Sequence, residues 1–240
     1  MVNDMFQSTI KGINRVFKTN DYEKLNILVT GLPGTLKSSF VYNVLSVHLQ
    51  NKPDCIGMYA TLGQTKESLI KNTQHLNIPV CDRLHVADYN ITREMYKDES
   101  EPSDFLELTE RLIDTTKEEH GEHFICFALD SLNALYTLIE TESAQERRKR
   151  MYYFFKLLRD NDLTSFIIKE QRRVPTAEDD ENYLADGVIE LGVRETVEGK
   201  KRYVEVLKMR QNEHSMKRFI IDVGKKGLAI IGPSVDDRNI

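Results

Sequence analysis

The sequence predicts an α/β protein whose mainly parallel sheet has helices on both faces and antiparallel hairpins at one side. Up to residue 171, short apolar runs alternate with segments of helical periodicity, which is typical of a parallel sheet. After residue 186, four short strand-like runs follow one another with no helix between them. The 240 residues, 40% hydrophobic and 30% charged, suit one domain over residues 1–240.

The elements before residue 171 follow from local periodicity. Compact apolar runs predict strands, and apolar residues at helical spacing predict helices. The predicted strands cover 25–30, 55–61, 84–89, 123–130 and 164–171, and the predicted helices cover 38–49, 65–76, 103–121 and 143–161. Ser103 is the expected N-cap of the third helix and Gly121 its end.

The last part of the chain has a different pattern. The polar, acidic stretch QRRVPTAEDDENY (171–183) predicts a mobile surface loop. Turn-like VEGK and GKKG then separate short strands, which indicates hairpins added to one side of the sheet. The four predicted strands are DGVIELGV, KRYVEVLKM, KRFIIDVG and KGLAIIG.

Charge and cysteine content narrow the class of protein. A net charge of −5 argues against general attraction to nucleic acid or to an anionic membrane. Cys55, Cys81 and Cys126 form no CxxC pair, so we expect reduced thiols and no zinc site. The N-terminus lacks the apolar core of a signal peptide, and no apolar run has the length of a membrane span. We therefore expect a cytoplasmic protein.

Residues 31–39, GLPGTLKSS, nearly match a phosphate-binding loop, Gly-x-x-x-x-Gly-Lys-Ser. A strand is predicted before the loop and a helix after it, which is the context in which backbone N–H groups and a helix N-terminus bind phosphate. In such loops the lysine reaches the β- and γ-phosphates and the next hydroxyl binds Mg²⁺. The predicted nucleotide-binding residues here are Gly31, Pro33, Gly34, Thr35, Leu36, Lys37, Ser38 and Ser39.

Leu36 stands where the motif has its second glycine. A leucine in the left-handed conformation costs on the order of 1 kcal/mol or more, and its side chain must point away from the ligand. We expect weaker binding rather than none, because the loop amides and Lys37 remain.

Asp130 ends the apolar run FICFALD (124–130) and is followed by Ser131. An aspartate at the carboxyl end of a buried strand is typical of a Walker B motif, so Asp130 and Ser38 are the predicted Mg²⁺ ligands. Alternatively, Asp130 or Ser131 is the N-cap of the following helix. Both roles can hold together.

The chain resembles a single RecA-like domain of the KaiC type, nearly from end to end. The similar stretches are STIKGINRVF (8–17), GLPGTLKSS (31–39), ENYLADGVIEL (181–191) and VEVLKMRQNEHSMKRFIID (204–222). The resemblance implies a doubly wound RecA-like sheet that binds ATP and Mg²⁺ between the subunits of a homo-oligomer, commonly a hexameric ring. It also implies that Lys208, Arg210 and His214 act at the nucleotide of the neighbouring subunit, where cations stabilise the γ-phosphate. Alternatively, these three side chains only decorate the solvated edge of a hairpin, where basic residues are common.

The chain departs from this family where hydrolysis needs a base. The family has paired glutamates after its second strand, and YATLGQT (59–65) places Gly63 and Gln64 there. Glutamine cannot act as a general base, although it can orient a water molecule. Asn182 and Tyr183 occupy the positions of the Ser-Thr phosphoacceptor pair of the clock proteins, so that autophosphorylation is not expected.

We therefore expect a regulatory protein that binds ATP and Mg²⁺, hydrolyses ATP slowly or not at all, and acts on a protein partner. Three alternatives remain open. One is an active ATPase that uses Gln64, and another is a recombinase-type ATPase of the RadA kind that acts with nucleic acid, which the acidic charge disfavours. The last is a scaffold protein that binds no nucleotide, because Leu36 blocks the phosphate-binding loop.

Overall fold

A computed structural model describes residues 5–18, 22, 24–88, 105–138, 143–171, 181–197 and 199–234. The strands are β1 (Asn26–Gly31), β2 (Ile56–Thr61), β3 (Leu84–Asp88), β4 (Phe124–Asp130), β5 (Thr164–Glu170), β6 (Gly187–Thr196), β7 (Gly199–Met209), β8 (Phe219–Gly224) and β9 (Gly227–Pro233). The α-helices are α1 (Lys37–Gln50), α2 (Lys66–His75), α3 (Phe105–His120), α4 (Leu132–Leu138), α5 (Ala144–Asp160) and α6 (Glu181–Leu184). Ile13–Arg15 and Gly121–His123 form short 3₁₀ helices.

All nine strands belong to one sheet, in the order β3-β2-β4-β5-β1-β6-β7-β8-β9. The strands from β3 to β6 in this order are parallel, and β7, β8 and β9 continue the sheet as antiparallel neighbours. The predicted α/β class with an antiparallel C-terminal extension is confirmed. The strand β6, which the sequence places with the hairpins, lies parallel to β1 and completes the parallel part.

Apolar side chains cover both faces of the sheet. Ile27 and Val29 of β1 belong to a core cluster that includes α1, whereas Leu28 between them belongs to a cluster that includes α5. Alternate residues of one strand are thus buried on opposite faces, which explains why the strand sequences are continuously apolar. The N-terminal segment packs into the first cluster, where Phe6 stacks on Phe17 with ring centroids 3.8 Å apart.

The predicted surface loop over 171–183 is wrong at its C-terminal end. Residues Glu181–Leu184 form α6, and the Glu181 carboxylate is buried beside the Lys169 ammonium at 2.6 Å. The hydroxyl of Tyr136 also donates to Glu181. The acidic composition suggested a solvated loop because the sequence does not show that a buried cation lies on β5. Residues 172–180 of this loop lie outside the described residues.

The predicted element ends agree to within a few residues. Gly121 follows α3 with a positive φ of 55°, whereas its proposed N-cap Ser103 lies outside the described residues. None of the helices in the described parts of the chain combines the length and hydrophobicity needed to cross a bilayer.

Candidate functional site

The parallel strands direct their carboxyl ends to one edge of the sheet, and the loop between β1 and α1 lies at that edge. Gly31 at the end of β1 is aligned with Glu170 at the end of β5. On the other side of β5, Asp130 at the end of β4 is aligned with Thr61 at the end of β2. These strands therefore bring together residues that are far apart in sequence. A cleft of about 390 Å³ opens there, lined by Gly34, Leu36, Lys37, Ser38, Ser39, Asn72, His75, Leu76, Asp130, Ile168 and Glu170.

The loop has the backbone shape that a phosphate site requires. Gly31 must lack a side chain, because a Cβ there would lie 2.0 Å from the carbonyl oxygen of Leu191. Gly34 has a φ of 81°, a conformation that glycine adopts at little cost. Helix α1 has 14 residues and no side chain caps its first turn. Its N-terminal amides and the positive end of its dipole therefore suit an anion.

Leu36 adopts the left-handed conformation that the missing glycine would have adopted. Its φ and ψ are 73° and 22°, and its carbonyl accepts the first hydrogen bond of α1 from Phe40 at 2.8 Å. The side chain is half-buried against the core cluster that contains α1. This packing offsets part of the backbone strain, which explains how the loop keeps its shape with leucine at this position.

The side chain of Lys37 is buried at the base of the cleft, with only 5% of it exposed. Its ammonium donates to the carbonyl of Leu32 at 2.9 Å and lies 3.9 Å from a carboxylate oxygen of Glu170. Burial lowers the pKa of Lys37, while the carboxylates of Glu170 and Asp130 act in the opposite direction. A cation thus lies next to the α1 N-terminus, as phosphate binding requires.

Asp130 ends β4 next to two hydroxyl groups. The buried Tyr59 donates to Oδ2 at 2.8 Å, and the hydroxyl of Ser38 on α1 lies close enough to act on the same carboxyl group. Burial raises the pKa of Asp130, and these two hydroxyl groups and the charge of Lys37 oppose that shift. The hydroxyl of Ser131 accepts from the Ala134 amide at 3.4 Å, so Ser131 is the residue that caps α4.

Gln64 does not line this cleft. Its carbonyl accepts from Thr61 Oγ1 at 3.0 Å, and its side-chain oxygen accepts from Asn72 of α2 at 3.4 Å. Gly63 has open space where a side chain would begin, with no atom within 4 Å. The two positions that would carry glutamates therefore present no carboxylate to the cleft.

Lys208, Arg210 and His214 lie far from the loop of their own chain. The start of β6 is aligned with the start of β1 and with the end of β7. These residues therefore lie at the edge of the sheet where the parallel strands begin, opposite the edge that holds the loop. Lys208 donates to the carbonyls of Asn182 and Ala185 at 2.9 and 2.6 Å. Arg210 contacts the carbonyl of Tyr183 at 3.2 Å, and His214 Nδ1 lies 3.4 Å from the Asn212 carbonyl.

The sequence analysis missed the cleft-lining residues Asn72, His75, Leu76, Ile168 and Glu170, and also two residues beside the cleft, Tyr59 and Arg202. Tyr59 and Glu170 are brought to the loop by strand pairing, and Arg202 of β7 donates to the carbonyl of Gly34 at 3.3 Å. One signal for Glu170 was available: it lies next to the end of the strand predicted over 164–171, and the carboxyl ends of parallel strands share an edge. Nothing in the sequence indicates that this strand pairs with β1.

Comparisons with known proteins bear on the whole chain. A family model described as "ATPase: KaiC" matches residues 6–235. The solved structure of a KaiC-like protein from the hyperthermophilic archaeon Pyrococcus horikoshii OT3 is similar, with 20% identity and a TM-score of 0.76. The match covers 94% of this chain and 98% of that one, and at this identity it shows a shared RecA-like α/β fold. The comparison with curated proteins gives no match.

Proposed function

Because the chain belongs to the KaiC ATPase family, whose members bind nucleotide, we propose that it binds ATP with Mg²⁺ and hydrolyses ATP slowly or not at all. Bound nucleotide then acts as a structural ligand, which stabilises contacts between subunits or switches a protein partner. We further propose that residues 1–240 work as one domain.

One observation carries this proposal: the groups that would bind nucleotide lie in one cleft, while neither position 63 nor position 64 has a carboxylate. Lys37 and the uncapped α1 amides would hold the phosphates. Ser38 and Asp130 line the same cleft and would offer the hydroxyl and carboxylate oxygens that Mg²⁺ prefers. The described residues thus fit Mg²⁺ and nucleotide, and Mg²⁺ would neutralise phosphate charge there.

The slow hydrolysis rests on the same geometry. A general base must lie within hydrogen-bond reach of the attacking water, directly or through one other water. Gln64 is bonded to Asn72 and lies outside the lining of the cleft, which disfavours the alternative of an active ATPase that uses Gln64 to orient water.

We propose a homo-oligomer, with a hexameric ring as the favoured form. Lys208, Arg210 and His214 follow the opposite edge of the sheet from the loop of their own chain. We therefore propose that they act on the nucleotide held by a neighbouring copy of the chain.

The test is a calorimetric titration with ATP and Mg²⁺, combined with a mass measurement by light scattering before and after saturation. We expect saturable binding, a larger assembly with nucleotide, and little phosphate release. Lys37→Ala should abolish binding, because it removes the buried cation beside the N-terminus of α1. Lys149→Ala on the exposed surface of α5 is the matched control and should bind normally. Absence of binding by the natural chain, or brisk phosphate release, would contradict the proposal.

A further inference from the structure

Glu170 is the last residue of β5, and its carboxylate faces the buried lysine of the cleft. An oxygen of Glu170 lies 3.9 Å from Lys37 Nζ, and 48% of its side chain is exposed at the rim. Asn133 fixes the backbone at this point, since its side chain accepts from the Glu170 amide at 2.6 Å and donates to the Glu170 carbonyl at 3.2 Å. The backbone at the end of β5 is therefore fixed by Asn133 and does not depend on the contact between Glu170 and Lys37.

The cleft holds two carboxylic acids close to its buried cation. Among the described lining residues, Lys37 is the one lysine or arginine, and Asp130 and Glu170 are both carboxylic acids. Arg202 lies beside the lining, where it donates to the carbonyl of Gly34. Asp130 has a role in the proposed function, because its oxygens suit Mg²⁺. Glu170 has no such role. Its carboxylate attracts Lys37, and it repels any phosphate that binds to Lys37.

We propose that Glu170 makes this site selective for metal-complexed nucleotide over free nucleotide, an inference that rests on the proposed function. The repulsion between Glu170 and the ligand grows with the charge of the ligand. Free ATP carries about four negative charges near neutral pH and its Mg²⁺ complex about two, so Glu170 opposes the free form about twice as strongly in free energy. Lys37 must also be shared between Glu170 and the phosphates, and this sharing is less favourable when no metal neutralises them.

The test is Glu170→Gln, which keeps the size of the side chain and removes its charge. Binding of ATP is titrated by calorimetry in excess Mg²⁺ and again in EDTA. An ion pair as exposed as this one is worth only a few-fold in affinity, so we expect a gain of about threefold for Mg²⁺–ATP. Because the gain scales with ligand charge, we expect about tenfold for free ATP.

The matched control is Glu119→Gln, which removes one exposed charge near the end of α3, at the opposite edge of the sheet. It should change neither affinity. Equal gains for the two ligands, no gain, or weaker binding by Glu170→Gln would overturn the inference. If the natural chain binds Mg²⁺–ATP and Glu170→Gln gains nothing, this inference alone fails. If neither chain binds nucleotide in either buffer, the proposed function fails as well.

Discussion

Two buried tyrosines differ in one respect that predicts opposite effects of the same substitution. Tyr42 of α1 and Tyr59 of β2 are both fully buried, and their ring centroids lie 5.7 Å apart. The Tyr59 hydroxyl donates to Asp130 at 2.8 Å, whereas the Tyr42 hydroxyl has no hydrogen-bond partner among the described residues. Tyr→Phe at each position removes one oxygen atom and keeps the ring.

Tyr59→Phe should destabilise the nucleotide-free protein. It removes a buried hydrogen bond to a carboxyl group, and such bonds contribute about 1.5–3 kcal/mol when the acceptor is charged. Tyr42→Phe removes a hydroxyl that is buried without a partner, so we expect no change or a gain of up to about 1 kcal/mol. For a chain of this length, each kcal/mol corresponds to roughly 2–4 °C in Tm.

The measurement is urea unfolding followed by far-UV circular dichroism, without nucleotide or metal. The chain has no tryptophan, and both variants alter the tyrosine signal, so a backbone probe is preferable to fluorescence. Midpoints should be compared only if the urea dependence of the unfolding free energy is the same for all three proteins. Equal destabilisation by the two variants, or a larger loss with Tyr42→Phe, would refute the assignment of Tyr59 as the donor that holds Asp130.

Two further predictions concern the charge and the missing base of the site. Burial raises the pKa of Asp130 above 3.8, so its contribution to stability is present below pH 3.8 and is lost as the pH rises through the folded-state pKa. Nucleotide-free Asp130→Asn should therefore be more stable than the natural chain at neutral pH, with the difference shrinking toward pH 3.8; urea midpoints measured across this pH range check it. Gly63→Glu fits sterically, since nothing lies within 4 Å of a Cβ there. A general base contributes roughly 10²–10⁴-fold to the rate of a reaction. We therefore expect the variant to release phosphate at least about tenfold faster than the natural chain. Gly63→Gln is the control of equal size, and a phosphate-release assay showing the same rate for both variants would contradict the prediction.

The sequence determined much of this protein because several of its features are contiguous. The loop GLPGTLKSS needs only a strand before it and a helix after it, and both are visible as periodicity within about 25 residues. The apolar run that ends at Asp130 is equally local. The motif also identified Leu36 as the position where a left-handed conformation would be costly, and its φ of 73° shows that the backbone adopts that conformation.

Tertiary structure alone decided which distant residues share the site. The cleft depends on the alignment of Gly31 with Glu170 and of Thr61 with Asp130, and these alignments arise from core packing on both faces of the sheet. Hydrophobic runs mark strands but do not order them, so neither Tyr59 nor Glu170 could be assigned to the loop beforehand. For the same reason, the acidic composition around Glu181 predicts a solvated side chain, whereas the sheet places Lys169 beside it. The placement of Lys208 and Arg210 at the amino edge likewise needed the direction of β6, which no local pattern in the sequence specifies.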